Sequence, residues 1–293
     1  MHKQILPENR RRILKNLLQS TDRPIRLMEA HNGISSHIVE AANFQGKKFD
    51  GIWVSGLTET ASKAIPDIEL EGLLPRIEKV QEMAKVTNLP IVFDGDTGGT
   101  VEQFQYTVSM LESIGVSAVI IEDQAFPKKN SYLDCKEQAL ENSDVFANKI
   151  KAGCQARSSE DFLIFARTES LVVGLGVEEA LKRAKKYVEA GAHAFLIQSK
   201  SPTGEEVFQF ASQYKKLGLN APLICIPTTY NHVLESELHG HGFQVIIHAN
   251  QLLRAAHKAM SEAAVAILRE SRSKEAEQMC TPLAELLNII AKI

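Results

Sequence analysis

Ile91-Val-Phe-Asp-Gly-Asp-Thr-Gly-Gly99, followed one β/α unit later by Val119-Ile-Ile-Glu-Asp-Gln124, is the stretch on which the fold turns. In both places an apolar run with the composition of a buried parallel strand ends in carboxylates. Asp94, Asp96 and Glu122 are therefore expected at the carboxyl ends of two neighbouring strands. Hard oxygen ligands crowded in a cavity suit Mg²⁺, with Mn²⁺ also accommodated, an ion that keeps waters and completes its shell with an oxyanionic substrate. A lone Asp-x-Asp more commonly caps a helix or makes a turn, and it is Glu122 that argues for the metal.

Similar short apolar runs recur on both sides: Leu27-Met28, Gly51-Ile-Trp-Val54, Phe162-Leu-Ile-Phe165, Ala194-Phe-Leu-Ile197, Pro222-Leu-Ile-Cys-Ile226 and Gln244-Val-Ile-Ile247. Stretches of helical period lie between them, such as Val101 to Ile114 and Val177 to Ala190. Eight strands alternating with helices predict a (β/α)₈ TIM barrel. Gly115, Gly191, Gly218 and Gly242 stand where helices must end before the next strand, a position that favours the left-handed cap. No Gly-x-Gly-x-x-Gly follows the first strand to recommend an open doubly wound sheet. The expected organisation is one domain over 1–293, with an N-terminal helix at 1–20, the barrel at about 25–255 and C-terminal helices at about 256–293. Ile5, Ile13, Leu14, Leu17 and Leu18 recur at helical spacing, which suits a helix plugging one end of the barrel.

A chain of 293 residues with 44% hydrophobic residues suffices for one such barrel. A net charge of −3 gives no basic field for nucleic acid, and no apolar stretch approaches the ~20 residues of a membrane span. Cys135, Cys154, Cys225 and Cys280 lack Cys-x-x-Cys spacing, so neither a zinc site nor a disulfide framework is expected, and a cytoplasmic location follows. These features point to a soluble enzyme with a small-molecule substrate.

Chemistry in such barrels lies at the carboxyl ends of the strands. In order these ends read Glu29-Ala-His-Asn-Gly33, Ser55-Gly-Leu57, Asp94 with Asp96, Glu122-Asp-Gln124, Arg167-Thr-Glu169, Gln198-Ser-Lys200, Pro227-Thr-Thr-Tyr230 and His248-Ala-Asn250. Turn chemistry explains any one of these but strains to cover all eight. Arg167 offers a planar fork of donors for an oxyanion, the alternative being a salt bridge to Glu169. His31 and His248 are expected to hydrogen-bond structurally, and His239 and His241 to be turn residues. Lys182-Arg-Ala-Lys-Lys186 reads as the solvated face of a helix, and Cys154 as part of a loop.

Met28-Glu-Ala-His-Asn-Gly33, Gly51-Ile-Trp-Val-Ser-Gly-Leu57, Asp94-x-Asp-Thr-Gly98, Glu122-Asp with Lys129-Asn-Ser131, Ala166-Arg-Thr-Glu169, and Ala249-Asn250 with Leu253-Arg-Ala255 match one family in order and spacing. Together they resemble the phosphoenolpyruvate mutase branch of the isocitrate lyase superfamily over most of the chain. The resemblance implies a Mg²⁺-dependent isomerase that interconverts phosphoenolpyruvate and 3-phosphonopyruvate in phosphonate biosynthesis. Alternatives are phosphonopyruvate hydrolysis, a C–C lyase or decarboxylase of another 2-oxo acid, and a non-catalytic relative that binds such an acid. The lyases carry a cysteine-bearing loop of Lys-[Lys/Arg]-Cys-Gly-His type, absent here, and the mutase pattern Asn-Ser is kept in Asn130 and Ser131. Two positions depart from the mutase pattern: Gln124 replaces a lysine and Gln198 a histidine, while the turn after Asp96 becomes Gly98-Gly-Thr100.

By the same resemblance, Asp67, Asn130 and Arg167 would be catalytic, with Gln124 and Gln198 beside them. Asp67 could otherwise cap a helix. Trp53, Ser55, Gly56, Leu57 and Ser131 would bind substrate, Asn130 and Ser131 from a loop that closes over it. The family also implies a homotetramer or dimer in which the C-terminal helix, Leu283 to Ile293, is exchanged between subunits.

Overall fold

A computed structural model of the protein describes residues 4–20, 22–131 and 138–292; Cys135 lies outside these. Eight parallel strands close into a barrel in chain order: β1 (Ile25–Glu29), β2 (Gly51–Val54), β3 (Ile91–Asp94), β4 (Ala118–Glu122), β5 (Leu163–Thr168), β6 (Ala194–Ile197), β7 (Leu223–Cys225) and β8 (Phe243–His248), which pairs back onto β1. The described residues form eleven α-helices: α1 (Pro7–Leu18), α2 (Gly33–Ala41), α3 (Gly56–Ser62), α4 (Leu73–Ala84), α5 (Val101–Ser113), α6 (Ser143–Ala156), α7 (Gly176–Glu189), α8 (Glu205–Lys216), α9 (Glu235–Gly240), α10 (Gln251–Glu270) and α11 (Leu283–Lys292). The expected TIM barrel is the observed fold.

Strand side chains alternate between two cores, as a period of two requires. Leu27, Trp53, Val92, Ile120, Phe165, Leu196, Ile224 and Ile247 fill the barrel, whereas Ile52, Phe93, Val119, Ile164 and Phe195 pack outward against Val80, Phe104, Phe146, Tyr187 and Phe210 of the helices. One inward step beyond the apolar layer, the same parity delivers Glu29, Asp94, Glu122, Arg167 and Gln198 to the barrel mouth. The mouth's chemistry is thus a continuation of the core's own periodicity.

At the other end α1 plugs the barrel, its Leu14 fully buried among the inner residues with Leu17 and Leu18 beside it. Truncating Leu14 to Ala should cost on the order of 2–5 kcal/mol. The arginines of this helix hold neighbouring backbone: Arg10 donates to the carbonyls of Ala84 (3.0 Å) and Thr87 (2.7 Å), and Arg11 to that of Glu112 (2.7 Å). They satisfy carbonyls at or just beyond the ends of α4 and α5. Gly115, Gly191, Gly218 and Gly242 all adopt positive φ, between +66° and +109°, as helix terminators.

Several boundaries and assignments differ from the sequence reading. The N-terminal helix starts at Pro7, whose fixed φ suits a first helical position, and not near residue 1. α10 runs unbroken across the expected 255/256 boundary, because no glycine or proline interrupts 251–270. Cys154 lies in α6 and His239 in α9, not in loops. Arg183 of the supposedly solvated run is buried and donates to Asp123 Oδ2 at 3.0 Å.

Candidate active site

Strand ends and one loop assemble the site. Trp53, Ser55, Leu57, Asp67, Asp94, Asn130, Ser131, Arg167 and Gln198 line one small cavity of about 40 Å³ at the barrel mouth. Asp96 and Gln124 instead border a larger neighbouring cavity of about 610 Å³, on the side of the β3–α5 turn. Glu122, almost fully buried, is joined to the first group by Arg167 Nη1 (3.1 Å) and to the second by Gln124 Nε2 (3.2 Å).

Gly56 marks the point where the acidic groups meet. Its amide donates to Asp94 Oδ2 (3.1 Å), and a Cβ there would lie 2.9 Å from Asp96 Oδ1, 3.4 Å from Asp94 Oδ2 and 3.5 Å from Asp67 Oδ1. A larger residue would have to displace Asp96 Oδ1, and the Gly56 amide is engaged by Asp94. Asp67 heads a turn and not a helix, which removes its capping alternative.

The cation at the centre was missed from the sequence. Lys128 Nζ donates to Asp67 Oδ1 (3.0 Å) and to Asp96 Oδ1, and its ammonium is buried. Burial alone would lower its pKa, but Asp96, Glu122, Asp94 and Asp67 hold it well above the usual lysine value. Its signal was its place in the expected loop, two residues before Asn130. Asn130 Nδ2 reaches the same carboxylate, donating to Asp67 Oδ2 at 2.6 Å. Ser131 Oγ donates to Glu169 Oε2 (2.7 Å) and accepts from Arg167 Nη2 (3.1 Å). The segment after β4 therefore spans the mouth from Asp67 behind β2 to Glu169 behind β5. Gln124 ties down its base, accepting a hydrogen bond from the Lys129 amide while donating to Glu122.

Arg167 bridges Glu122 and Glu169 (Nε to Oε1, 2.6 Å), so the salt-bridge reading and the mouth position both hold. Behind it Asp123 accepts from the Glu169 amide (2.9 Å), Thr168 Oγ1 (2.8 Å) and Tyr187 Oη (2.8 Å), fixing the end of β5. His31 Nδ1 pairs with Glu29 (2.6 Å) and His248 Nε2 with Glu235 (3.1 Å), structural contacts as expected.

The electrostatics are those of a desolvated acidic site. Burial pushes Glu122 up to about 8 despite Arg167 and Lys128, and burial with the neighbouring Asp96 raises Asp94. Burial would also raise Asp96, but Lys128 and Arg76 outweigh it and hold that carboxyl below the usual range. Among the described residues no three acidic, imidazole or thiol groups converge tightly enough to enclose a metal. The donor set still fits Mg²⁺, which typically takes one or two carboxylates and fills its shell with water and substrate oxygens. Asp94 and Asp96 beside Gly56 supply such a pair, while the buried Glu122 Oε2 is ion-paired with Arg167 Nη1 at 3.1 Å. No helix among the described residues is long and apolar enough to cross a membrane.

Comparison with known proteins agrees in both sequence and structure. The family model described as phosphoenolpyruvate phosphomutase matches residues 14–268. A phosphoenolpyruvate phosphomutase of Tetrahymena pyriformis is 36% identical over 277 residues, covering 94% of this chain and 89% of that protein. The crystal structure of a phosphoenolpyruvate phosphomutase from Streptomyces platensis subsp. rosaceus superposes with a TM-score of 0.91 at 32% identity, covering 96% of this chain and 95% of the other. A phosphonopyruvate hydrolase solved with oxalate and Mg²⁺ superposes with a TM-score of 0.87 at 31% identity, covering 97% and 95%.

Proposed function

Because the chain belongs to the phosphoenolpyruvate mutase family of enzymes, we propose that it interconverts phosphoenolpyruvate and 3-phosphonopyruvate with Mg²⁺. The observation that carries this reading is the Lys128–Ser131 segment, drawn across the mouth by Asp67 and Glu169 over a cavity of about 40 Å³. When the P–C bond of phosphonopyruvate breaks, the metaphosphate-like fragment is captured by whichever nucleophile is nearer. A closed segment that excludes water favours the enolate oxygen of the same substrate, which returns phosphoenolpyruvate.

In this reading Asp94 and Asp96 would hold the Mg²⁺ directly or through water, with Glu122 behind them, and Mn²⁺ would substitute. When bound, the ion would supply positive charge to the carboxylate and the 2-oxygen of the enolpyruvate. Arg167 presents its guanidinium to a substrate oxyanion from the inner face of β5. Lys128 and Asn130, both held by Asp67, steady the phosphoryl oxygens, and Ser131 adds a hydroxyl donor. Trp53, Ser55, Gly56 and Leu57 form the floor and wall against the pyruvate moiety. Gln124 and Gln198 contribute amide dipoles where family members carry ionisable groups. Because a cavity of this size admits little more than a water molecule or two, its lining rearranges as substrate enters.

The likeness to the hydrolase supports a second reading, direct hydrolysis of phosphonopyruvate. Coupled assays separate the two. Lactate dehydrogenase with NADH reports pyruvate, whereas phosphoenolpyruvate is seen only after pyruvate kinase and ADP are added. We expect signal only with the kinase; equal signal without it would assign hydrolysis.

The apolar side chains of α10 and α11, among them Leu268, Leu283, Leu287 and Ile290, are exposed in the single chain. A homotetramer or dimer would cover these side chains between subunits. Scattered cysteines, with Cys154, Cys225 and Cys280 all free, support a reducing, cytoplasmic setting.

A further inference from the structure

We propose that Arg76, on α4 outside the barrel, is the positioning residue that ties the carboxylates at the end of β3 to the segment at the end of β2. Its three arms are all used and the residue is buried. Nε donates to Glu59 Oε2 (2.8 Å), Nη1 to Asp96 Oδ2 (2.7 Å) and Nη2 to the Asp94 carbonyl (2.6 Å), and the guanidinium lies 4.2 Å from the centre of the Phe93 ring.

Each contact addresses a different part of the site. Glu59 belongs to α3, the short helix opened by Gly56 and Leu57, so the first arm grips the wall that faces the pyruvate moiety. The other two grip the Asp94-Gly-Asp96 turn from both ends. That turn needs holding, because Asp96 adopts φ +51°, a left-handed conformation that side-chain-bearing residues disfavour. Engaging Oδ2 from below leaves Asp96 Oδ1 directed toward Gly56 and Lys128. A planar fork with fixed donor directions makes all three bonds at once; a lysine of the same charge cannot.

The inference rests on the proposed metal-dependent site, and its test reads the metal separately from turnover. Mn²⁺ binding to the purified full-length protein is followed by electron paramagnetic resonance for the wild type, Arg76→Lys and Glu59→Gln. Net charge beside the carboxylates is unchanged in Arg76→Lys, so a purely electrostatic role predicts unchanged affinity. Positioning predicts Mn²⁺ affinity weaker by about tenfold or more in Arg76→Lys, the usual scale for groups that orient metal ligands. In Glu59→Gln, which keeps the contacts to Asp96 and Asp94, the loss should be smaller, about threefold. In either variant kcat should fall with little change in KM for substrate at saturating metal. If Arg76→Lys does not fold, as judged by circular dichroism, Glu59→Gln carries the test. Wild-type affinity in the folded variants would overturn the role of Arg76, whereas absence of Mn²⁺ binding in the wild type would overturn the metal site itself.

Discussion

Asn130 of the loop after β4 and Asp67 of the turn after α3 meet through a 2.6 Å amide–carboxylate hydrogen bond, 63 residues apart in the chain. Asp67 also receives Lys128, so one carboxylate fixes both loop side chains. Asn130→Ala should lower kcat by roughly 100-fold, the scale for losing one oriented donor at a reacting centre. Metal affinity should stay within about threefold, since the carboxylate to which Asn130 donates is that of Asp67 and not one of the proposed ligands. Steady-state kinetics and Mn²⁺ titration on the same preparation check both halves.

Asp94 lies where Gly56, Asp96 and the Arg76-held turn converge. Asp94→Ala is expected to abolish Mn²⁺ binding and cut turnover on the order of 10³-fold or more. EDTA should do the same to the wild type, reversibly on adding Mg²⁺. Activity that survives both treatments would remove the metal from the account.

Lys128 is the buried counter-ion of Asp67 and Asp96. Without metal, Lys128→Ala leaves like charges facing one another at low dielectric. Breaking a buried pair in this way typically costs about 3–5 kcal/mol. Metal-free Lys128→Ala should therefore melt well below the wild type, and Mg²⁺ should raise its Tm by more than it raises that of the wild type. Differential scanning calorimetry with and without Mg²⁺ decides this.

His193 predicts a pH effect away from the site. Its Nδ1 accepts from the Ile164 amide (3.1 Å), and burial lowers the imidazole to about 4. A histidine whose folded pKa lies below its unfolded value of about 6.5 is protonated preferentially in the unfolded chain. Its contribution is present above pH 6.5 and is lost as pH falls toward 4. Urea denaturation of His193→Gln should show a constant offset from the lost hydrogen bond and a shallower decline than the wild type over that window.

The eight apolar runs and the polar residues at their carboxyl ends were legible in the sequence, and with them Asp94, Glu122, Arg167 and Gln198 at the mouth. Runs such as Ala118-Val-Ile-Ile121 are apolar on both faces, so which side chains enter the barrel is seen only in the structure. Lys128 was not legible as a centre of charge, because a lysine in a Lys/Pro-rich loop carries no periodic signal; only Asp67 and Asp96 show what it does. Arg76 and Arg183 escaped for another reason. Both sit on helices whose other charges are solvated, and a helical pattern cannot show that one arginine turns inward to a buried carboxylate. The approximate division near 255 falls inside α10, since counting strands fixes where the barrel ends but not where its last helix begins and stops.

The most direct test of the central claim is ³¹P NMR of phosphonopyruvate incubated with the purified protein and Mg²⁺, with an EDTA control. The account predicts that the phosphonate signal is replaced by that of phosphoenolpyruvate, and only in the presence of metal. Inorganic phosphate appearing directly, or a phosphonate signal that never changes, would contradict it.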